Sequence, residues 1–491
     1  MTRTLSLATL SDLPDTVATP LYRRDDLSAG IVHIGVGNFH RAHQAVYLDR
    51  LFNLGRDHDW AIIGAGVKSF DAEKRAALID QDWLTTVVEM DLSGFSARVT
   101  GAMIGFCPVE AAALIDQLAD PAIRIVSLTI TEGGYYVDAT TGGFNATHPE
   151  IQRDAATPDQ PETVFGLLLA GLERRRAAGL PPFTILSCDN LPENGHVTRA
   201  AVLGLAGLIS PDLYDWVAEN VAFPGSMVDC ITPATSAREI RMVADRFGIN
   251  DAAPVACEPF RQWVMEDNFP QGRPALEHVG VEFVEDVAPY ETMKLRILNA
   301  GHAAIAYPAA LLGHDYVHDA MADPDIAAWL RHLMGTEVIP ILPPIAGVDY
   351  ATYLDTCIKR FANPAIGDTI ARLCLDGSNR QPKFVLPSIA DALAVGGAVD
   401  LLALEVAFWC AYLAASDDKG AGFVVEDERA DSLIAAALRA SEDPAAFLSQ
   451  EEIFGTLAGD SRFAAAFARQ LGQIETYGAR AVLRGLCQAV A

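Results

Sequence analysis

The stretch Ile31–Val67 constrains the first half of this chain more than any other. IVHIGVG (Ile31–Gly37) is a short apolar run ending on two glycines. NFHRAHQAVYLDRLFNLG (Asn38–Gly55) follows, with apolar residues at helical spacing and a terminal glycine. WAIIGAGV (Trp60–Val67) is a second buried run. Strand, glycine turn, helix and strand make the first half of a dinucleotide-binding unit in an open α/β sheet. Gly35 and Gly37 permit a tight turn and a close approach of backbone to pyrophosphate. His40 stands where the usual third glycine belongs, so the fingerprint is incomplete. After the second strand comes Asp71, with Lys68 three residues before it. A carboxylate there accepts the ribose hydroxyls of NAD and repels a 2′-phosphate, whereas Lys68 softens that preference. A solvated loop acid fits Asp71 equally well.

Two further strand patterns end in polar turns. RIVSLTITEGGYY (Arg124–Tyr136) closes on Thr131, Glu132 and two glycines. FTILSCDNLPENG (Phe183–Gly195) closes on Asp189, Asn190 and a proline turn. Polar groups at the carboxyl ends of parallel strands are where such sheets bind ligands. FPGSMVDCITP (Phe223–Pro233) adds another apolar segment, carrying Asp229. The region Val255–Val287 reads as the last strands of the sheet and a linker, and residues 1–29 as an irregular lead-in.

After Pro289 helical patterns dominate, over Thr292–Ala310, Asp325–Leu333, Leu354–Phe361, Ile366–Leu375, Ser388–Val395, Leu401–Ser416, Asp431–Leu438 and, in pieces, Arg462–Leu486. The first of these, within PYETMKLRILNAGHAAIAY (Pro289–Tyr307), carries Lys294, Asn299 and His302 in an apolar run. At about 100° per residue they fall at roughly 0°, 140° and 80° around a helix. A lysine in apolar surroundings loses solvation as the cation and becomes a usable base. Singly, the three also fit a snorkelling lysine, a satisfied core amide and an interior histidine. At 491 residues the chain is too long for one core. The expected division is 1–286, a Rossmann-like dinucleotide-binding domain, and 287–491, an α-helical catalytic domain.

Charge narrows the partners. A formal net charge of −28 offers no basic field to a nucleic acid or an anionic membrane. The eight scattered cysteines include no Cys-x-x-Cys pair, as in a reducing compartment. The N-terminus lacks a signal-peptide pattern, and Leu401–Ala415, the most apolar later run, is interrupted by Glu405 and too short for a bilayer. A cytoplasmic protein is expected, and the two-domain plan permits a monomer. His40 and His43, three apart, would supply two ligands of a zinc site, but no cysteine or acid neighbour completes the set.

IGVGNFHRAHQA, VSLTITEGGYY, SCDNLPENG, MVDCITP, PYETMKLRILNAGH and DGSNRQPKF, in this order and spacing, resemble the polyol-specific long-chain dehydrogenases. The resemblance runs from about residue 30 to the C-terminus. It implies an N-terminal nucleotide-binding α/β domain, a mostly α-helical C-terminal domain and an active site in the cleft between them. It also implies NAD-dependent, zinc-independent oxidation of a polyol to a ketose, D-mannitol to D-fructose. A related D-arabinitol or sorbitol dehydrogenase, or a fructuronate or tagaturonate reductase, is the alternative. By the same resemblance Lys294 is the general base, and Asn190 and Asn299 stabilise the alkoxide. His302 hydrogen-bonds the reacting region, and Glu291 exchanges protons with solvent. Asp229, Arg372 and Arg380 meet substrate hydroxyls. Gly35, Gly37, Asn38, Phe39, Asp71, Thr131 and Glu132 line the cofactor. Cys230 stands where the family has arginine, and Phe70 precedes Asp71 where a second acid is common.

Overall fold

A computed structural model describes residues 2–138, 141–415 and 423–490 of the protein. The chain divides into two compact units, Met1–Ala288 and Pro289–Ala491.

The first unit is organised by a five-stranded sheet. Its strands are β1 (Ala29–Ile34), β2 (Ala61–Ala65), β3 (Met103–Phe106), β4 (Ile125–Leu128) and β5 (Thr184–Ser187). They pair in the order β3-β2-β1-β4-β5, all parallel. This is the doubly wound dinucleotide-binding order, with its switch point between β1 and β4. Alternation along each strand feeds two cores, one on each face. Val32, Ile34, Val126, Leu128 and Ile185 pack against one set of helices. Ile31, Ile62, Ile125 and Leu186 pack on the other face, where Trp263 and Met265 also lie.

Helix formation after β1 departs from the single helix expected over Asn38–Gly55. His43, at φ −117° and ψ −87°, breaks it into α1 (Asn38–Ala42) and α2 (Gln44–Asn53). Helix α3 (Ser69–Ile79) follows β2.

The region Val255–Val287 does not supply the last strands of the parallel sheet. Val255–Cys257 joins a four-stranded sheet beside Thr85–Asp91, which forms a hairpin with Gly94–Thr100. Gln262–Glu266 lies between Ser226–Asp229 and Glu282–Val284 in a sheet of its own. Each strand is short and apolar, so its pattern fixed its type but left its partner open. Even the lead-in has pairing, with Arg3–Thr4 on Ile249–Asn250 and Val17–Ala18 on the hairpin.

The second unit is helical, and among its described residues β pairing is limited to one isolated bridge, Tyr316 to Thr369. Its axis is Asp400–Ala414, buried nearly all round as a run apolar on every side must be. Ser461–Tyr477, Ala430–Ala440 and Ala300–Leu311 surround it. Polar caps set many starts: Asp460 accepts from the Arg462 and Phe463 amides, and Asp349 from those of Ala351 and Thr352. The expected helices are present with shifted ends, and Ser416 lies outside the described residues. Gly377–Phe384, inside the DGSNRQPKF motif, is an additional helix.

Candidate active site

At the carboxyl end of β1 the chain turns on Gly35, whose φ is +96°. A Cβ there would sit 2.1 Å from the Thr129 carbonyl oxygen, so only glycine fits. The Gly37 amide donates to the Gly35 carbonyl at 2.7 Å, and Gly37 then opens α1. The turn is backed by His33, whose ring bonds Ser127 and Thr129 and stacks on His40 at 3.5 Å. Burial drives both imidazoles well below their ordinary pKa, so this backing is neutral. Asn38 is tied inward, donating to Pro233 O and Thr235 Oγ1, and Phe39 stacks on His43. His40 and His43 serve different partners, Gln44 and the Gln262 carbonyl. No group of three metal-ligating side chains occurs among the described residues.

At the end of β2, Asp71 Oδ2 accepts from the Val67 and Lys68 amides, both at 2.9 Å, and so holds the start of α3. Beside it lies a cavity of about 270 Å³ lined by Gly66, Val67, Val109, Glu110, Leu114 and Pro161. Apart from the turn that carries Asp71, that lining has no local signal along the chain, because it comes from three separate segments. A tight glycine turn, an anchored acid after β2 and an adjoining cavity on this strand order fit a dinucleotide.

The turns after β4 and β5 are joined by one carboxylate. Asp189 accepts from Ile130 N at 2.8 Å, Thr131 N at 3.0 Å and Tyr135 Oη at 2.7 Å. Thr131 is held at φ +65°, unusual for a β-branched residue. Asn194 extends the link, donating to the carbonyls of Asp189 and Ser226. The same segments therefore carry Thr131 and Glu132, exposed Asn190, and buried Asp229 at the end of Ser226–Asp229. Asp189 stands in the quoted SCDN motif, yet its role as a clamp became visible only with its partners in place.

In the second unit, Ala288–Met293 runs directly into a π-helical turn, Lys294–Asn299, and on into Ala300–Leu311. The Ala300 amide reaches Leu295 O, five residues back. This alters the angular reading made for a uniform α-helix. In an i→i+5 turn, residues five apart lie close to one another around the axis. Lys294 and Asn299 thereby approach one face, and His302, three α-helical positions on, stays within roughly 60° of it. Glu291 precedes Lys294 by three positions and shares its side. Arg296 braces the turn from outside through Ser388 Oγ and Asp391.

Lys294 is 7% exposed, and Glu291 and His302 are each 9% exposed. His302 lies against Phe361, ring centroids 4.2 Å apart. Burial, then the charges of Arg372, Arg380 and Arg360, hold its pKa well below the ordinary imidazole value. The structure thus groups His302 with Arg372 and Arg380, and adds buried Arg360, which the sequence did not single out. Arg372 makes a forked pair with Asp368, and Arg380 Nη1 donates to the carbonyls of Arg372, Leu373 and Leu375.

Residues 29–278 match the family model described as the mannitol dehydrogenase Rossmann domain, and residues 286–475 the mannitol dehydrogenase C-terminal domain. The chain belongs to the mannitol dehydrogenase family. It is 56% identical over 471 residues to mannitol 2-dehydrogenase of Cereibacter sphaeroides, covering 96% of this chain and 98% of that one. Among solved structures it resembles Pseudomonas fluorescens mannitol 2-dehydrogenase in ternary complex with NAD and D-mannitol. That likeness has a TM-score of 0.85 at 45% identity, over 99% of this chain and all of the other. A D-sorbitol dehydrogenase in substrate-free form matches with a TM-score of 0.91 at 36% identity, over 98% of this chain and 100% of that one.

Proposed function

We propose that this NAD-dependent oxidoreductase interconverts D-mannitol and D-fructose, with the side chain of Lys294 as the base. The observation that carries the reading is a buried lysine in a π-turn that draws Asn299 and His302 toward its face, within a mannitol dehydrogenase chain.

NAD, when bound, accepts the hydride. Gly35, Gly37, Asn38 and Phe39 hold its pyrophosphate end, Asp71 its adenosine ribose, and Thr131 and Glu132 border it. Hydride leaves carbon only as the hydroxyl proton departs, so the neutral amine of Lys294 takes that proton. Glu291, one turn earlier, passes it toward solvent. The side-chain amides of Asn190 and Asn299 donate to the developing alkoxide; loss of one such donor costs roughly 3–4 kcal/mol of barrier. His302, kept neutral, orients the reacting hydroxyl without adding a competing positive charge. Asp229, Arg372 and Arg380 meet the remaining hydroxyls.

Two arginines would also suit a uronate carboxylate. Their forked pair and carbonyl contacts already engage much of their donor capacity, which favours a neutral polyol. The sorbitol alternative draws on the TM-score of 0.91. Initial rates with D-mannitol, D-sorbitol and D-arabinitol, each with NAD and NADP, test the reading, together with D-fructose against fructuronate under NADH. D-mannitol with NAD should give the highest kcat/KM. A higher value for another polyol, or fructuronate turning over faster than fructose, would overturn the substrate assignment.

A further inference from the structure

Two thiols outside the proposed chemistry lie in one cluster against Ala42 of α1. Cys230 directly follows Asp229, and Cys257 ends the strand Val255–Cys257. Their segments are joined by Glu258 N donating to Ile231 O at 3.0 Å and Ile231 N to Glu258 Oε1 at 2.6 Å. Both side chains sit in one buried cluster with Ala42, Val46, Val87 and Val255. Cys230 and Cys257 each directly precede one of the two joined residues, and a disulfide spans Cα atoms roughly 4.4–6.8 Å apart.

One sulfur is primed by a cation. Arg261 Nη2 donates to Cys257 Sγ at 3.2 Å, and the same guanidinium is fixed by Glu89 at 2.7 Å and by the Ala42 carbonyl at 2.6 Å. Arginine beside a sulfur favours the thiolate. Interaction with Cys230 and then the Arg261 charge hold Cys257 below the ordinary thiol pKa against the opposing effect of burial, whereas burial pushes Cys107, Cys188, Cys374 and Cys410 up. Cys230 receives a hydrogen bond from Thr232 Oγ1 at 3.7 Å. The pair packs with Ala42 of α1, and Phe39 lies against the cluster. Arg261 thus connects Cys257 directly to the helix that Gly37 opens.

We propose that Cys230 and Cys257 are a peroxide-sensitive thiol pair whose reversible disulfide weakens cofactor binding at the Gly35–Phe39 turn. The thiolate of Cys257 attacks one oxygen of hydrogen peroxide. An S–O bond forms, the O–O bond breaks, and the departing hydroxide is protonated to water. The thiol of Cys230 then attacks the sulfenic sulfur. The S–S bond forms as the S–O bond breaks, and the leaving hydroxide takes the Cys230 proton as water. Two thiols are oxidised and one peroxide becomes two waters. The sulfurs close to about 2 Å, and Arg261 loses the Cys257 sulfur as a thiolate acceptor while keeping Glu89, so its hold on the Ala42 carbonyl and α1 changes. With Cys230 7% and Cys257 0% exposed, the oxidant must be as small as hydrogen peroxide. A dithiol such as dithiothreitol reverses the bond by exchange.

The test treats the full-length protein with hydrogen peroxide, then maps disulfide-linked peptides by mass spectrometry and titrates NADH by fluorescence. The expected result is a Cys230–Cys257 linked peptide and a several-fold rise in the NADH Kd, both reversed by dithiothreitol and both absent in Cys257→Ser. Both thiols remaining alkylatable in the wild type would overturn the proposal, and this arm needs no variant. A linked peptide with unchanged NADH affinity, or a Cys257→Ser protein that still weakens, would overturn it equally. Neither readout requires turnover, so failure here is separable from failure of the substrate assignment.

Discussion

Lys294 and His302 share a buried face, but their environments assign them different protonation behaviour. Oxidation by the proposed route needs Lys294 as the free amine, so kcat for the polyol should fall as pH falls and the amine protonates. His302, kept neutral by burial and three nearby arginines, contributes no ionisation near neutrality. Replacing Lys294 by alanine should therefore lower kcat by roughly 10²–10⁴-fold with NADH binding retained. His302→Gln should lose activity yet keep the acid limb of the pH profile. Rates from pH 5 to 10 for both variants decide this; wild-type turnover in the lysine variant, or a limb lost with the histidine, would refute the assignment. The residue types were legible in PYETMKLRILNAGH. Arg360 was not, because a buried arginine on a helix is indistinguishable in sequence from a solvated one.

At the scale of elements, the site depends on devices that periodicity does not encode. Helical reading assumes one angular step per residue, so the π-turn that brings Lys294 and Asn299 toward one face was invisible. Asp189 is the counterpart in the first unit, a single carboxylate binding the β4 and β5 turns together. Burial raises its pKa, while the Tyr135 hydroxyl and two amides oppose that shift. Asp189→Ala leaves the Ile130 and Thr131 amides without their acceptor and the Tyr135 hydroxyl with Ser187 Oγ as its remaining partner, at about 1–3 kcal/mol for each group that stays buried and unmet. Thr131, at φ +65°, should then relax and displace Glu132. A lower thermal midpoint and a lower kcat are expected, with Asp189→Asn partly restoring both. An alanine variant as stable and active as wild type would show that the clamp is dispensable.

At the scale of the whole molecule, one buried acid couples stability to pH. Glu405 lies within Asp400–Ala414, and burial raises its carboxyl to about 8 from 4.5, opposed by a 2.8 Å bond from Gln381 Nε2. Between about 4.5 and 8 the folded protein keeps a proton that the unfolded chain has released. Stability from this group is thus complete below the lower value and is lost as pH rises through the higher one. Urea midpoints measured from pH 5 to 8 should fall for the wild type relative to Glu405→Gln, which cannot ionise. A difference between the two that does not change with pH would sink this account. No described helix is long and apolar enough to cross a membrane.

The sequence by itself determined the two-part plan, the glycine turn and the residue types of the proposed chemistry. These follow from local rules: apolar periodicity, turn residues and the order of strand and helix are written along the chain. Tertiary structure alone decided which short strands pair, where Asp189 spends its oxygens, how the π-turn rotates Asn299 toward Lys294, and that Cys230 meets Cys257. Each of these joins groups that one-dimensional spacing leaves unrelated, or turns on a backbone step that periodicity presumes uniform. Hydrogen bonding and desolvation act through space, so they become definite only once the chain has folded.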